Sequence, residues 1–442
     1  MPAPLVLLSL PGLRDEDVAR MPALNELRDT GSGCRIEHSF PGVTWPSQCN
    51  LLTGTLPREH GVVANGFYWR DRNEVEMWTA WNDVIERPQL WDLVKAAWPG
   101  MTTAAWFPML AKGCGADVVC MPAPIHKPDG SEEMWCHTRP QEFYGELIEQ
   151  RDHFPLHHFW GPLAGIQSSR WIAESAVLAA RRFKPEFWYI YLPHLDYAAQ
   201  KFGPDSQQAT AALGELDEVI AGLVRSFADC YANPVTWVAA SEYVITPVDH
   251  VSYPNRMLRD ASLLMVDETD DGRELLDFAE SLAWALVDHQ FSHVFVSDSN
   301  PDLIQQVVNV FSGSSGIAEV LAGEARARYH MDHDRSGDVI LISQPNSWQA
   351  YYWWQDDALA PQWARTVDIH RKPGYDPVEL FFDPATRSVP LDASLVKGSH
   401  GAPCIDRAMQ GALVCSRPGV LDEGSLVDTG ICQLMLRLLE SP

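Results

Sequence analysis

Four short strand-like runs, residues 5–8, 102–107, 187–191 and 236–240, alternate with long stretches whose apolar residues recur at helical spacing, as in 168–182 and 209–226. Runs that are apolar at successive positions must be buried on both faces, which requires a sheet covered by helices on each side. Alternation of such strands with helices is the pattern of a parallel sheet. The expected fold is therefore α/β, a doubly wound, mostly parallel sheet with helices on both faces. The chain has 442 residues, beyond the roughly 250–300 at which a single core stops growing. A smaller α+β cap is expected over 255–329, where 293–296 reads as a strand and 302–311 as a helix, inserted between core segments 1–254 and 330–442. Residues 338–343 read as a strand returning to the main sheet. The aromatic segment 348–354 and the proline-bearing loop 370–384 read as ordered walls.

A formal net charge of −26 excludes nucleic-acid backbone and anionic membrane surfaces as partners. No stretch approaches the ~20 apolar residues that span a bilayer. Residues 5–10 are too short and lack the basic flank of a secretory segment, so a cytoplasmic location is expected. Nine scattered cysteines without a Cys-x-x-Cys pair suggest reduced thiols rather than disulfides or a thiolate zinc site. An anionic ligand would need a metal, or local cations such as Arg58, Lys201, Arg371 and Lys372, to reverse the field.

Four segments carry the chemistry. Thr44 lies in Phe40-Pro41-Gly42-Val43-Thr44-Trp45-Pro46-Ser47, just ahead of a helix-like turn at 47–52, where free backbone N–H groups attract an anion. Alone, a Thr in that place is an N-cap. It is followed by Leu51-Leu52-Thr53-Gly54, by Arg58-Glu59-His60-Gly61 and by Asn65, 21 residues further on. Directly after the strand-like 187–191 comes His194-Leu195-Asp196-Tyr197-Ala198-Ala199-Gln200, in which Asp196 and Gln200 share a helix face. Ser241-Glu242-Tyr243 follows the strand-like 236–240, and Gly398-Ser399-His400-Gly401 comes late in the chain.

In kind and order these segments resemble the motifs of the alkaline phosphatase superfamily, in its type I phosphodiesterase/nucleotide pyrophosphatase branch. The resemblance implies an alkaline-phosphatase-like fold in which Thr44 is a metal-activated nucleophile and Asn65 holds a phosphoryl oxygen. It places Asp196 on a metal-binding Asp of the family and His400 on the late metal-binding His, with Gln200 where the family has a His. Glu242 and Tyr243 stand where the family has a metal-binding Asp and His. The first strand should end beside a metal-binding Asp, but the chain reads Leu8-Ser9-Leu10-Pro11-Gly12, and Asp15 and Asp17 come too late. One ion would thus keep Asp196, Gln200 and His400, and a second only Glu242, the Thr44 hydroxyl and Tyr243, a poor ligand unless deprotonated.

His194, and His370-Arg371-Lys372 in the late loop, are further candidates for metal or substrate. The implied cofactor is a divalent metal ion (zinc, manganese, magnesium or iron), one or two per chain, with Gln200 tilting preference toward harder ions such as magnesium, manganese or calcium. The implied activity is metal-dependent hydrolysis of a small phosphorylated ester. The alternatives are a remodelled mononuclear lyase or transferase in a biosynthetic pathway, and a non-catalytic phosphate-binding relative. His60, His289, His293 and the polar run 330–338 read as structural, and His157 and His158 as surface. The 17 tryptophans, Trp45 and Trp69 among them, read either as walls for a base or apolar tail or as core.

Overall fold

The computed structural model describes residues 3–126 and 132–440. Nine strands form the main sheet, in the order Ser425–Val427, Ser32–Glu37, Gly411–Cys415, Thr236–Ser241, Leu5–Leu10, Phe187–Tyr191, Thr103–Trp106, Val118–Pro122, Cys136–Arg139. Its centre is parallel, with Leu5 opposite both Phe187 and Thr236 and with Phe187 opposite Thr103. All six residues of Leu5–Leu10 and all five of Phe187–Tyr191 are buried, as continuous apolar runs in a helix-covered sheet must be. Helices Ile166–Phe183 and Gln207–Ala228 pack side by side. Ser206 starts the second by accepting the Ala209 N–H at 3.0 Å.

Gly411–Cys415 enters antiparallel between Thr236–Ser241 and Ser32–Glu37. It does so through a glycine for a local reason. A Cβ on Gly411 would stand 2.4 Å from the Ser241 Cβ and 2.8 Å from His38 Nε2.

A second, antiparallel sheet of Ala283–Asp288, Phe291–Val296, Val339–Ser343 and Ile317–Ala322 carries helix Pro301–Phe311, whose first turn is capped by Asn300. Its core includes Trp284, Phe295, Leu341 and the aromatic run from Tyr351 to Trp354. Strand Val339–Ser343 therefore belongs here, between Phe291–Val296 and Ile317–Ala322, and does not return to the main sheet. The second unit runs on past the expected limit at 329. Four consecutive buried apolar residues followed by a buried serine satisfy either sheet equally, so the run itself names no partner strand.

The two sheets meet at a short turn. Asp288, His289 and Gln290 join the first two strands of the second sheet, and Gln290 N–H donates to His400 O at 3.0 Å. Tyr375 N–H donates to Val287 O at 3.0 Å. These bonds tie the turn to the loops that carry His400 and Tyr375, and the His400 ring stacks on Tyr243 just past the carboxyl end of parallel strand Thr236–Ser241, where open α/β sheets place their ligands. Among the described residues no helix is long and apolar enough to cross a membrane.

Candidate active site

Helix Thr44–Thr53 begins after extended Val43 and is buried at all ten positions. Pro46 falls in its first turn, where a missing N–H costs no intrahelical bond. The helix stops at Gly54, whose φ of +69° is left-handed. Thr44 Oγ1 lies 3.3 Å from the Tyr243 hydroxyl. The Trp45 N–H donates to Asn65 Oδ1 at 2.9 Å. Asn65 is itself clamped: its N–H donates to Asp288 Oδ2 at 2.8 Å and its Nδ2 to Asp288 Oδ1 at 3.1 Å. Asp288 also accepts from His289 Nδ1 at 2.6 Å. Burial pushes the Asp288 carboxyl up to about 6 against the opposing pull of the Asn65 bonds.

Asp196 and Gln200 share one face of helix His194–Phe202. Gln200 Nε2 donates to Asp196 Oδ2 at 2.8 Å, and Gln200 Oε1 accepts from the Tyr375 hydroxyl at 3.0 Å. The amide oxygen that a cation would want is thus engaged elsewhere. His400 donates from Nδ1 to Gly42 O at 2.7 Å, which fixes its tautomer and leaves a lone pair on Nε2. That atom lies 3.8 Å from Asp196 Oδ1, and neither has a hydrogen-bond partner. Two buried acceptors facing each other repel unless a cation or a proton lies between them. Burial raises the Asp196 carboxyl to about 7 and drives the His400 imidazole well below its usual range. This pair, one carboxylate oxygen and one imidazole nitrogen, both fixed and unpaired, offers two donors of the kind a divalent ion takes, short of a full ligand set.

The His400 ring stacks on Tyr243 at 3.7 Å and 4° and meets His289 at 3.8 Å. His289 in turn stacks on Tyr375 at 3.6 Å.

Glu242 is differently placed. Its Oε1 accepts from Ser9 Oγ at 2.5 Å, Gln48 Nε2 at 3.0 Å and the Tyr189 hydroxyl at 3.4 Å. Burial pushes its carboxyl up to about 8. Among the described residues no three His, Cys, Asp or Glu side chains are arranged to hold a metal. Around Glu242 the donors are hydroxyls and an amide, a set that does not fit a second dication.

Thr44, Asp196 and His289 open on a cavity of about 80 Å³ walled by Trp78, Trp160 and Tyr375. Among the described residues no Lys or Arg lines it. The cations expected to reverse the field lie elsewhere: Arg58 pairs with Asp332, Lys201 donates to Leu380 O, and Arg371 pairs with Asp368. Lys372 is buried between Asp376 at 2.8 Å and Glu379 at 2.6 Å. His194 faces away, its Nε2 2.8 Å from Glu215 Oε2, and His370 Nδ1 donates to Met77 O at 3.1 Å. Of the candidates, the structure gathers Thr44, Asn65, Asp196, Gln200, His400, Glu242 and Tyr243 through these contacts. It does not bring His194, His370, Arg371 or Lys372 to the cavity wall.

His289, expected to be a packing residue, lies at the centre of the site, and Asp288 was not singled out at all. The available signal is the polar triplet Asp288-His289-Gln290 between two apolar strand runs, since a buried polar turn needs specific partners. His60 and His293 are structural. His60 Nε2 donates to Asn50 Oδ1 at 2.9 Å and His293 Nε2 to Val63 O at 3.1 Å.

The fold is that of an alkaline-phosphatase-like protein. The chain belongs to the type I phosphodiesterase/nucleotide pyrophosphatase family, whose sequence profile matches residues 5–376. Among curated relatives it is 22% identical over 192 residues to an uncharacterized pyrophosphatase/phosphodiesterase of Schizosaccharomyces pombe, covering 42% of this chain and 32% of that protein. It is 25% identical over 203 residues to ectonucleotide pyrophosphatase/phosphodiesterase 1 of Saccharomyces cerevisiae, covering 42% and 25%. The match thus spans about a third or less of each relative. Among solved structures, phosphonoacetate hydrolase of Sinorhizobium meliloti in complex with phosphonoacetate superposes with a TM-score of 0.64 at 16% identity, over 99% of this chain and 96% of that one. Murine ectonucleotide pyrophosphatase/phosphodiesterase 5, inactive and in complex with AMP, gives 0.63 at 14% identity, over 100% and 95%. At these identities the superpositions speak for the fold.

Proposed function

We propose that the chain hydrolyses phosphoric esters, with Thr44 attacking phosphorus. The observation that carries the reading is the clamp at the head of a buried helix. Asp288 holds Asn65, Asn65 takes the Trp45 N–H, and Thr44 faces the cavity beside them. An anionic oxygen placed there meets the positive end of the helix and the remaining amide hydrogen of Asn65. As the Thr44 Oγ–P bond forms, the ester P–O bond breaks. The proton Thr44 gives up balances the one taken by the departing oxygen. Water then cleaves the Oγ–P bond and restores Thr44.

Asp196 and His400 are the residues that would hold a divalent ion. Bound there, such an ion would supply positive charge against the phosphoryl oxygens. The aromatic walls and the lack of basic side chains among the described residues lining the cavity favour a diester with one negative charge and an aromatic or apolar arm over a polyphosphate.

Turnover of bis(4-nitrophenyl) phosphate by the metal-supplemented protein tests the reading. Thr44→Ala should lower it by at least about 10³-fold with the circular dichroism spectrum unchanged. Full turnover in the variant would overturn Thr44 as nucleophile.

A further inference from the structure

We infer that this chain is a single-ion protein, in which the position of a second ion has been filled by a hydrogen-bonded lock on Glu242. The inference rests on the family placement of the site used above, and it deepens that reading by fixing the metal count.

Three observations carry it. First, the lock is complete on one oxygen. Ser9, Gln48 and Tyr189 all donate to Glu242 Oε1, and all four side chains are buried. Second, the lock cannot be reversed by rotating an amide. Gln48 Oε1 accepts the Met109 N–H at 2.9 Å, so its Nε2 must face Glu242. An ion on that oxygen would have to displace buried donors, each left with the cost of an unmade bond. Third, charge does not balance. Ser9 stands at the end of the first strand where a second carboxylate would be needed, and Tyr243 offers a neutral phenol. The Tyr243 ring lies flat on His400, and its hydroxyl is 3.3 Å from Thr44 Oγ1. A dication beside Glu242 would have one carboxylate and so keep a buried uncompensated charge. Glu242 Oε2 has no partner, and one carboxylate oxygen does not make an ion site. The contrast is internal to the site, because Asp196 Oδ1 and His400 Nε2 face each other with no donor bound to either.

The test is a count of ions on the whole chain, stripped with chelator and titrated with zinc or manganese alone. Calorimetric stoichiometry is checked by elemental analysis after gel filtration. One ion per chain is expected. Two ions, or none, would overturn the inference. The double variant Ser9→Asp/Tyr243→His supplies an acidic and an imidazole ligand and is expected to take a second ion; a folded double variant that still takes one would overturn the assigned cause. Should that variant fail to fold, the wild-type count decides alone. No step of the test reads turnover. A failed hydrolase assay with one bound ion would sink the proposed activity and leave this inference standing.

Discussion

At Asp196, two buried polar atoms face each other across 3.8 Å with nothing bound to either. At Glu242, three buried donors converge on one carboxylate oxygen. Both carboxylates follow parallel strands of the same sheet, and burial pushes both up, to about 7 and about 8. The difference lies in what the neighbours offer. Buried polar atoms are costly unless bonded, and proteins satisfy nearly all of them. The Glu242 side meets that demand at Oε1 with protein groups. The Asp196 side meets it at Oδ2 through Gln200 Nε2, and each carboxylate keeps one unpartnered oxygen, Glu242 Oε2 and Asp196 Oδ1; the one at Asp196 faces a second unpartnered acceptor, His400 Nε2.

The comparison breaks first on ion affinity. Asp196→Ala removes one of two converging donors and should weaken zinc or manganese binding by about 10²-fold or more. Glu242→Gln keeps an oxygen for Ser9, Gln48 and Tyr189 and should change the same affinity only a few-fold. Calorimetric titration of both variants reads the contrast directly. Equal losses would mean that both carboxylates hold the ion and that the two sides do not differ.

A smaller effect is expected at the clamp, which should act on the reacting group without touching the ion. Asp288→Ala frees Asn65, whose backbone N–H and Nδ2 both rest on this carboxylate. It should lower kcat by roughly 10²-fold, the scale of one oxyanion donor, while ion affinity stays within a few-fold. If ion affinity collapses too, Asp288 belongs to the Asp196 side of the site rather than to the nucleophile.

Much of this was legible in the residues, for reasons that differ from part to part. The central strands were readable because burial on both faces leaves no polar position in them, as at Phe187–Tyr191. Thr44, Asp196 and His400 stood out because each sits in a short motif after a strand or in a glycine-flanked loop, and Glu242 stood out the same way, but its expected place as a metal ligand did not foresee the donors Ser9, Gln48 and Tyr189. The partner of Val339–Ser343 was not readable, since an apolar run carries no address. Nor was the fate of the cations. Lys372 looked free to meet substrate in a turn-rich loop, yet Asp376 and Glu379, four and seven residues on, bury it. Asp288 escaped because its role depends on a contact with Asn65 across 223 positions of chain. Gln48 escaped likewise, because nothing local shows that the Met109 N–H fixes which way its amide points.

The last and smallest effect sets two buried histidines against each other. His400 donates from one nitrogen and leaves the other open. His60 is closed: Nε2 donates to Asn50 Oδ1, and Nδ1 accepts the Val62 N–H at 3.1 Å. Adding a proton to His60 must break the bond from Val62, and burial holds its pKa at about 3. The unfolded chain binds that proton near 6.5. Below 6.5 the unfolded state therefore carries more protons than the folded one, and stability falls as pH falls toward 3. Between pH 7 and pH 5 the loss from this one group is roughly 2 kcal/mol. His60→Gln can keep the donor to Asn50 without a titrating ring, so it should lose about that much less stability over the same interval. Thermal unfolding of the chelator-treated protein at the two pH values reads the difference. Equal acid losses in wild type and variant would show that His60 is not the closed, structural histidine its contacts describe, and the contrast with His400 would lose its reference.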